Sequence, residues 1–251
     1  MNKVLYKNSE HTILYKDKKS KIMYKDKPYQ DEELDYPSIV LCHFEDNFVD
    51  GQITDAKGNI LTKSGSNISI SSDQAKFGSK SLKMTGSSYL YTATMDALWF
   101  SNGDFTIDCW VYTSNTYRQA LFSFVNGGIY IDIQSRTPSE WFSNVGSGWL
   151  VNGDSGGDMG GKGTIDIPSN VWTHVAMVRH GSYLTLYVNG QVSKSVNIGS
   201  VNQRKLRDIY CTIGTWDPAQ YYFSGYIDEF HITNKAMWTG AFTPPTKPYN
   251  N

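Results

Sequence analysis

From Ser38 onward, apolar and polar residues alternate in short runs, and no long helical pattern appears. Residues 39–44, 88–92, 104–112, 120–125, 128–133, 172–179, 183–188 and 225–232 each predict a strand. In the run 104–112 the apolar residues Phe105, Ile107, Cys109 and Val111 fall on one face, which predicts the core side. In the run 172–179 Trp172, His174, Ala176 and Val178 share one face, and Val175, Met177 and Arg179 share the other. Asn102-Gly103, Asn126-Gly127-Gly128 and Asn189-Gly190 separate the runs. Asn189-Gly190 is the clearest hairpin signal, because a type I′ turn needs positive φ at both central residues. Regular short strands with such turns predict a sandwich or barrel.

The first 30 residues follow a different rhythm. Val4-Leu5-Tyr6-Lys7, Ile13-Leu14-Tyr15-Lys16 and Ile22-Met23-Tyr24-Lys25 recur with a nine-residue period. Four residues of strand and five of turn predict three short strands, too small a sheet to stand alone. Residues 1–29 carry eight lysines against three acidic residues, whereas the rest of the chain is net acidic. We read residues 1–30 as a short β-repeat arm, 31–37 as an acidic linker closed by Pro37, and 38–251 as the sandwich. The arm is expected either to dock onto other chains or to cover the sandwich. Lysines on a strand edge discourage uncontrolled pairing and imply a specific partner.

Composition refines this picture. Among 251 residues, 17 are Tyr and 7 are Trp, a bias that suits strands and also sugar or protein contact. The net charge of −1 gives no overall signal for nucleic acid. No apolar run approaches the ~20 residues that span a membrane. The opening residues lack the apolar region of an export signal, so a virion protein released by lysis is expected, or a chain that starts at a mature N-terminus. Cys42, Cys109 and Cys211 each sit in an apolar run and are expected to be buried free thiols, with a Cys109–Cys211 bridge as the alternative.

Several strings, in order, resemble the concanavalin A-like lectin/glucanase superfamily and its laminin-G-like modules, found in bacterial surface proteins and phage fibres. They are Leu41-Cys-His-Phe44, Phe77-Gly78-Ser-Lys-Ser81-Leu82, Asp104-Phe-Thr-Ile-Asp-Cys-Trp110-Val111 and Trp172-Thr-His174-Val-Ala-Met-Val-Arg179. Leu184 to Gly190, Gly225 to Ile232 and Phe242-Thr-Pro-Pro245 complete the set. The resemblance implies an all-β, concanavalin A-like jelly-roll sandwich of two antiparallel sheets. The fold hosts lectins, hydrolases and adhesion modules alike, so it leaves the function open.

The chemistry-bearing residues narrow the choice. A glycosidase needs two carboxyl groups facing one bond, hence even spacing on a strand. Asp228 and Glu229 are adjacent, so strict alternation sends them to opposite faces, and Glu45-Asp46 fails in the same way. His174, on a strand face, is expected to be structural. Calcium is the one cofactor the sequence admits, through Asp154 and Asp158 in a glycine-rich stretch. Trp141, Trp149, Trp216, Tyr221 and Tyr222 lie near turn signals, where rings can stack on sugars, with Asn144 and Asp217 as hydroxyl acceptors. Packing over the sandwich edges is the competing role for half or more of these aromatics.

The expected function is a non-enzymatic adhesion or carbohydrate-binding module. The expected setting is a bacteriophage fibre that recognises a host surface glycan or protein and contacts other virion proteins, or its own copies, through residues 1–29. No nucleic-acid partner and no membrane insertion are expected. A hydrolase or lyase, with Asp108, Asp132 and Glu140 as the acids to inspect, is the alternative from another class. A purely structural virion protein and a bacterial surface protein are the remaining readings.

Overall fold

The computed structural model describes residues 37–115, 117–126, 128–133, 163–203, 205, 207–216 and 220–251. The predicted arm, the linker before Pro37, and Trp141, Asn144, Trp149, Asp154, Asp158, Asp217 and Glu140 lie outside the described residues.

Fourteen strands and one short 3-10 turn make up the described elements. The first seven strands are β1 (Ser38–Cys42), β2 (Gln52–Thr54), β3 (Ile60–Ser64), β4 (Ile68–Ser71), β5 (Ser81–Thr85), β6 (Tyr89–Thr92) and β7 (Phe105–Tyr112). The others are β8 (Gln119–Val125), β9 (Ile129–Ile133), β10 (Thr173–His180), β11 (Tyr183–Val188), β12 (Gln191–Asn197), β13 (Tyr210–Ile213) and β14 (Ser224–Thr233). An eight-stranded sheet runs β12-β11-β10-β7-β14-β5-β4, with β1 also paired to β14, and a six-stranded sheet runs β2-β3-β6-β13-β8-β9. Every pairing is antiparallel.

The two sheets bury one apolar layer between them. Phe105, Ile107, Cys109 and Val111 face it from β7, as their alternation predicts. Phe122 and Phe124 meet them from β8, and Phe122 packs edge-on against Phe230 of β14 with ring centroids 5.9 Å apart. All three cysteines are buried and free, so the Cys109–Cys211 bridge does not form. Burial pushes each thiol well above its ordinary pKa, which leaves these groups as small hydrophobes. Arg179 is also buried, and its Nη1 donates to the Val201 carbonyl at 2.7 Å.

The outer face of the eight-stranded sheet is covered by the chain's own C-terminal segment. Ala176, Val178 and Tyr187 form a second small core there with Ala236, Trp238 and Phe242. Trp238 and Phe242 stack at 3.8 Å, and Phe242 N–H donates to the Gly190 carbonyl at 2.9 Å. Asn189 (φ 47°) and Gly190 (φ 73°) adopt the positive φ expected of the hairpin. A Cβ on Gly190 would overlap the Phe242 carbonyl, so this glycine serves both the turn and the docking of the segment.

Beneath that segment lies a buried polar network. Asp108 accepts hydrogen bonds from His174 Nε2 (3.0 Å), His231 Nδ1 (3.0 Å) and the Tyr249 hydroxyl (2.6 Å). Burial would raise the Asp108 pKa, but the two histidine hydrogen bonds overcome it and hold the carboxyl at about 2. An ionised carboxylate only accepts, so the facing nitrogen of each imidazole carries a proton. The Ser38 hydroxyl meets the far nitrogen of His231 at 3.0 Å. His174 is therefore a structural histidine, as its position on the strand predicts.

Strict alternation does not hold at Asp228-Glu229. The pairing of β14 with β7 shifts register between Asp228 and His231, and Glu229 takes φ 50°. The two carboxylates become anchors for separate segments. Asp228 accepts the N–H groups of Lys76 (2.8 Å) and Phe77 (3.2 Å). Glu229 accepts from His43 Nδ1 (2.7 Å) and from the Tyr249 N–H (3.0 Å). Burial pushes Asp228 upward against its backbone donors, and the bond to Glu229 raises His43. Both acids are thus occupied in holding the fold.

Candidate functional site

The six-stranded sheet presents a different outer face. One rung crosses it through Gln52, Thr62, Tyr91, Thr212, Ser123 and Tyr130, which pair in succession from β2 to β9. Opposed residues share a face, so this rung is polar and aromatic where the alternate positions are core. On β9, Tyr130 and Asp132 stand on this outer face, and Ile129, Ile131 and Ile133 on the inner one.

At the β9 end the side chains assemble into a platform. The Trp216 and Tyr221 rings stack with centroids 5.7 Å apart and an interplanar angle of 29°. Trp216 also packs on Tyr130 at 5.4 Å. The Arg118 guanidinium lies 4.2 Å from the Tyr221 centroid and 5.7 Å from that of Trp216. Arg118 Nε donates to Asp132 Oδ2 at 2.7 Å, and its Nη2 bonds the same oxygen. Tyr221 remains 39% exposed at φ 51°, a backbone conformation that non-glycine residues seldom adopt, and so keeps its ring available at the surface.

Asp132 gives this platform its chemical character. The residue is 1% exposed, and its Oδ1 is buried without a hydrogen-bond partner. Burial pushes its carboxyl upward despite Arg118. A buried acceptor left unpaired costs about 1–3 kcal/mol.

Of the sequence-predicted residues, the structure brings together Trp216 and Tyr221. Tyr222 is half-buried and joins no ring contact among the described residues. Sequence reasoning missed Arg118 and Tyr130, and it weighed Asp132 only as an acid catalyst. The alternation of Tyr130 and Asp132 with three isoleucines was the available signal for the outer face. Nothing local marked Arg118, which reaches Asp132 across the β8–β9 pairing. Of the three acids to inspect, Asp108 and Asp132 do not pair: Asp108 lies on the outer face of one sheet and Asp132 on the outer face of the other, so the sandwich core separates them, and Glu140 lies outside the described residues.

A cleft of about 520 Å³ lies elsewhere, lined by His43, Glu45, Asp55, Glu229, Tyr249 and Asn251 among others. Three of its carboxylates, Glu45, Asp55 and Glu229, are already engaged. Glu45 accepts from Ser79 and Lys80, and Asp55 from the N–H groups of Leu41, Lys57 and Asn59. Among the described residues no group of three or more His, Cys, Asp or Glu side chains could hold a metal ion. No helix among them is long and apolar enough to cross a membrane.

Comparison with known proteins agrees with this architecture. The model of the concanavalin A-like lectin/glucanases superfamily matches residues 84–239, more than half of the chain. Domain 4 of AbnA, a GH43 extracellular arabinanase from Geobacillus stearothermophilus solved with arabinotriose, superposes with a TM-score of 0.54 at 22% identity. That match covers 74% of this chain and 88% of the other. The binding domain of Paraclostridial Mosquitocidal Protein 1 superposes at 0.56 with 16% identity, covering 80% of this chain and 49% of that one. The binding domain of botulinum neurotoxin DC, solved in complex with SialylT, superposes at 0.52 with 16% identity, covering 80% and 48%. This chain thus spans about half the length of those toxin domains. At these identities the likeness is one of fold. No curated protein matches the sequence. The ordered motifs, the paired antiparallel sheets and the family match lead to one assignment: the chain belongs to the concanavalin A-like lectin/glucanase superfamily, in its laminin-G-like branch.

Proposed function

We propose that this chain is a non-enzymatic carbohydrate-binding module that acts in adhesion, with its glycan seated on the Trp216–Tyr221 platform. The observation that carries the reading is the part-exposed Trp216–Tyr221 ring pair with the Arg118 guanidinium lying against it. Sugars bring C–H faces that stack on rings and hydroxyls that donate to carboxylates. Arg118 adds donors of its own and holds Asp132 in place. The relatives solved with arabinotriose and with SialylT support a saccharide as the ligand class.

In the finer reading, the module belongs to a bacteriophage fibre and recognises a glycan on the host surface, with residues 1–30 as the arm that joins it to neighbouring copies or to another virion protein. The nine-residue repeat and its lysine-rich composition support the arm.

A glycan array probed with the whole chain tests the proposal. Binding to a defined glycan class is expected, with loss of signal for Trp216→Ala. An array without binding, repeated on whole host cells with the same result, overturns it.

A further inference from the structure

A second aromatic surface stands on the same sheet, three strands from the platform. Tyr89 and Tyr91 lie two residues apart on β6 and so share its outer face, with ring centroids 6.0 Å apart and planes tilted by 48°. Tyr210 on the adjacent β13 closes the other side. With Ser64, Thr92, Ala93 and Thr94 they line a groove of about 370 Å³. That is within the usual range for a small-molecule site.

We propose that this groove is a second saccharide site, separate from the platform, and that it takes uncharged sugar units. The inference rests on the glycan-binding reading of the platform. Three features of the groove choose the ligand. Its lining holds no lysine, arginine or carboxylate, so it offers nothing to a phosphate, an acidic sugar or a cation. Its polar atoms are hydroxyls of Ser, Thr and Tyr, which both donate and accept, as sugar hydroxyls do. Its apolar surface is aromatic, tilted into an open V that fits the C–H face of a ring. An extended peptide is disfavoured, because β6 is paired to β3 and β13, and β13 to β8, so no free strand edge is presented.

The two surfaces are distinct. Tyr91 and Tyr130 occupy the same rung but are three strand spacings apart, roughly 14 Å. Between them Thr212 (0% exposed) and Ser123 (5% exposed) are buried. A ligand therefore meets two pockets and not one continuous trough. They also differ in chemistry, since the platform carries an Arg–Asp pair and the groove carries no charge.

Native mass spectrometry of the full chain with neutral trisaccharides (arabinotriose, maltotriose, xylotriose and cellotriose) counts the sites directly. Two ligands per chain are expected for at least one sugar. Tyr91→Ala and, separately, Tyr89→Ala should each reduce the count to one, and Trp216→Ala should remove the other ligand. Thermal melts check that each variant is folded. A single ligand, lost with Trp216→Ala and indifferent to both tyrosine changes, overturns the second site and leaves the platform standing. Two ligands with neither removed by the tyrosine changes also overturns this groove. No ligand in any case removes the platform reading and this inference with it.

Discussion

The two outer faces of this sandwich are made from the same kind of strand and put to opposite uses. On the eight-stranded sheet, the outward residues Asp108, His174, Ala176 and His231 are buried under the chain's own C-terminal segment. On the six-stranded sheet, Tyr221 remains in contact with solvent, and tyrosines at half-buried positions line an open groove. The contrast is one of covering. The C-terminal segment closes over the first face, where His174 Nδ1 and Trp110 Nε1 are buried without a hydrogen-bond partner. The other face keeps part-exposed ring surfaces.

The sharpest way to break the contrast is to remove the anchor of the covered face. Asp108→Ala strands two histidine nitrogens and the Tyr249 hydroxyl in a buried site. It should cost about 3–5 kcal/mol of stability, read as the urea midpoint shift multiplied by m. Glycan binding at low temperature should be unchanged in the folded fraction. A loss below about 1 kcal/mol would mean that the network does not hold the segment down.

Next in size, Gly190→Ala and Phe242→Ala attack the same covering from its other end. The first forces a side chain into positive φ against the Phe242 carbonyl, and the second removes a ring stacked on Trp238. Each should cost about 2–4 kcal/mol. Proteolysis should then begin within 234–251. Cleavage elsewhere, with that segment intact, would separate the hairpin from the covering.

Acidity offers a smaller and more specific probe. Asp108 has a folded pKa of about 2 against an ordinary value of 3.8, so its contribution is present above pH 3.8 and is lost as pH falls through 2. The stability difference between the wild type and Asp108→Asn should therefore shrink by about 2 kcal/mol between pH 5 and pH 2. A pH-independent difference would mean that shape, and not charge, is what Asp108 supplies.

The smallest stability effect should come from deleting residues 1–37. A chain beginning at Ser38 should melt cooperatively, within about 1 kcal/mol of the full chain, and lose self-association in light scattering. An unfolded product would assign residues 1–30 to the covering of the sandwich. Equal monomers from both chains would exclude self-assembly and leave docking to a different protein.

How much of this was legible beforehand depends on where the information resides. The alternation of Phe105, Ile107, Cys109 and Val111 and the Asn189-Gly190 turn are local signals, and both appear in the structure as expected. Strands β2, β3, β4, β5, β12 and β13 were missed: β2, β4 and β12 lie on sheet edges, where burial imposes little pattern, and β3, β5 and β13 are interior but only four or five residues long. Trp216 and Tyr221 were visible as aromatics near turns. Their partners were not, because Arg118 and Tyr130 reach them through strand pairings that sequence spacing does not encode. The Asp228-Glu229 step misled because a bulge breaks the alternation from which opposite faces were inferred.

The central claim, that the open face binds glycan through its ring pair, is tested most directly by titration calorimetry. The wild type, Trp216→Ala and Asp108→Asn are each titrated with the glycan selected on the array. The account predicts at least a tenfold loss of affinity for Trp216→Ala, about 1.4 kcal/mol or more, with little change in melting temperature, and wild-type affinity for folded Asp108→Asn. Wild-type affinity in Trp216→Ala, or loss of binding only in folded Asp108→Asn, would contradict it.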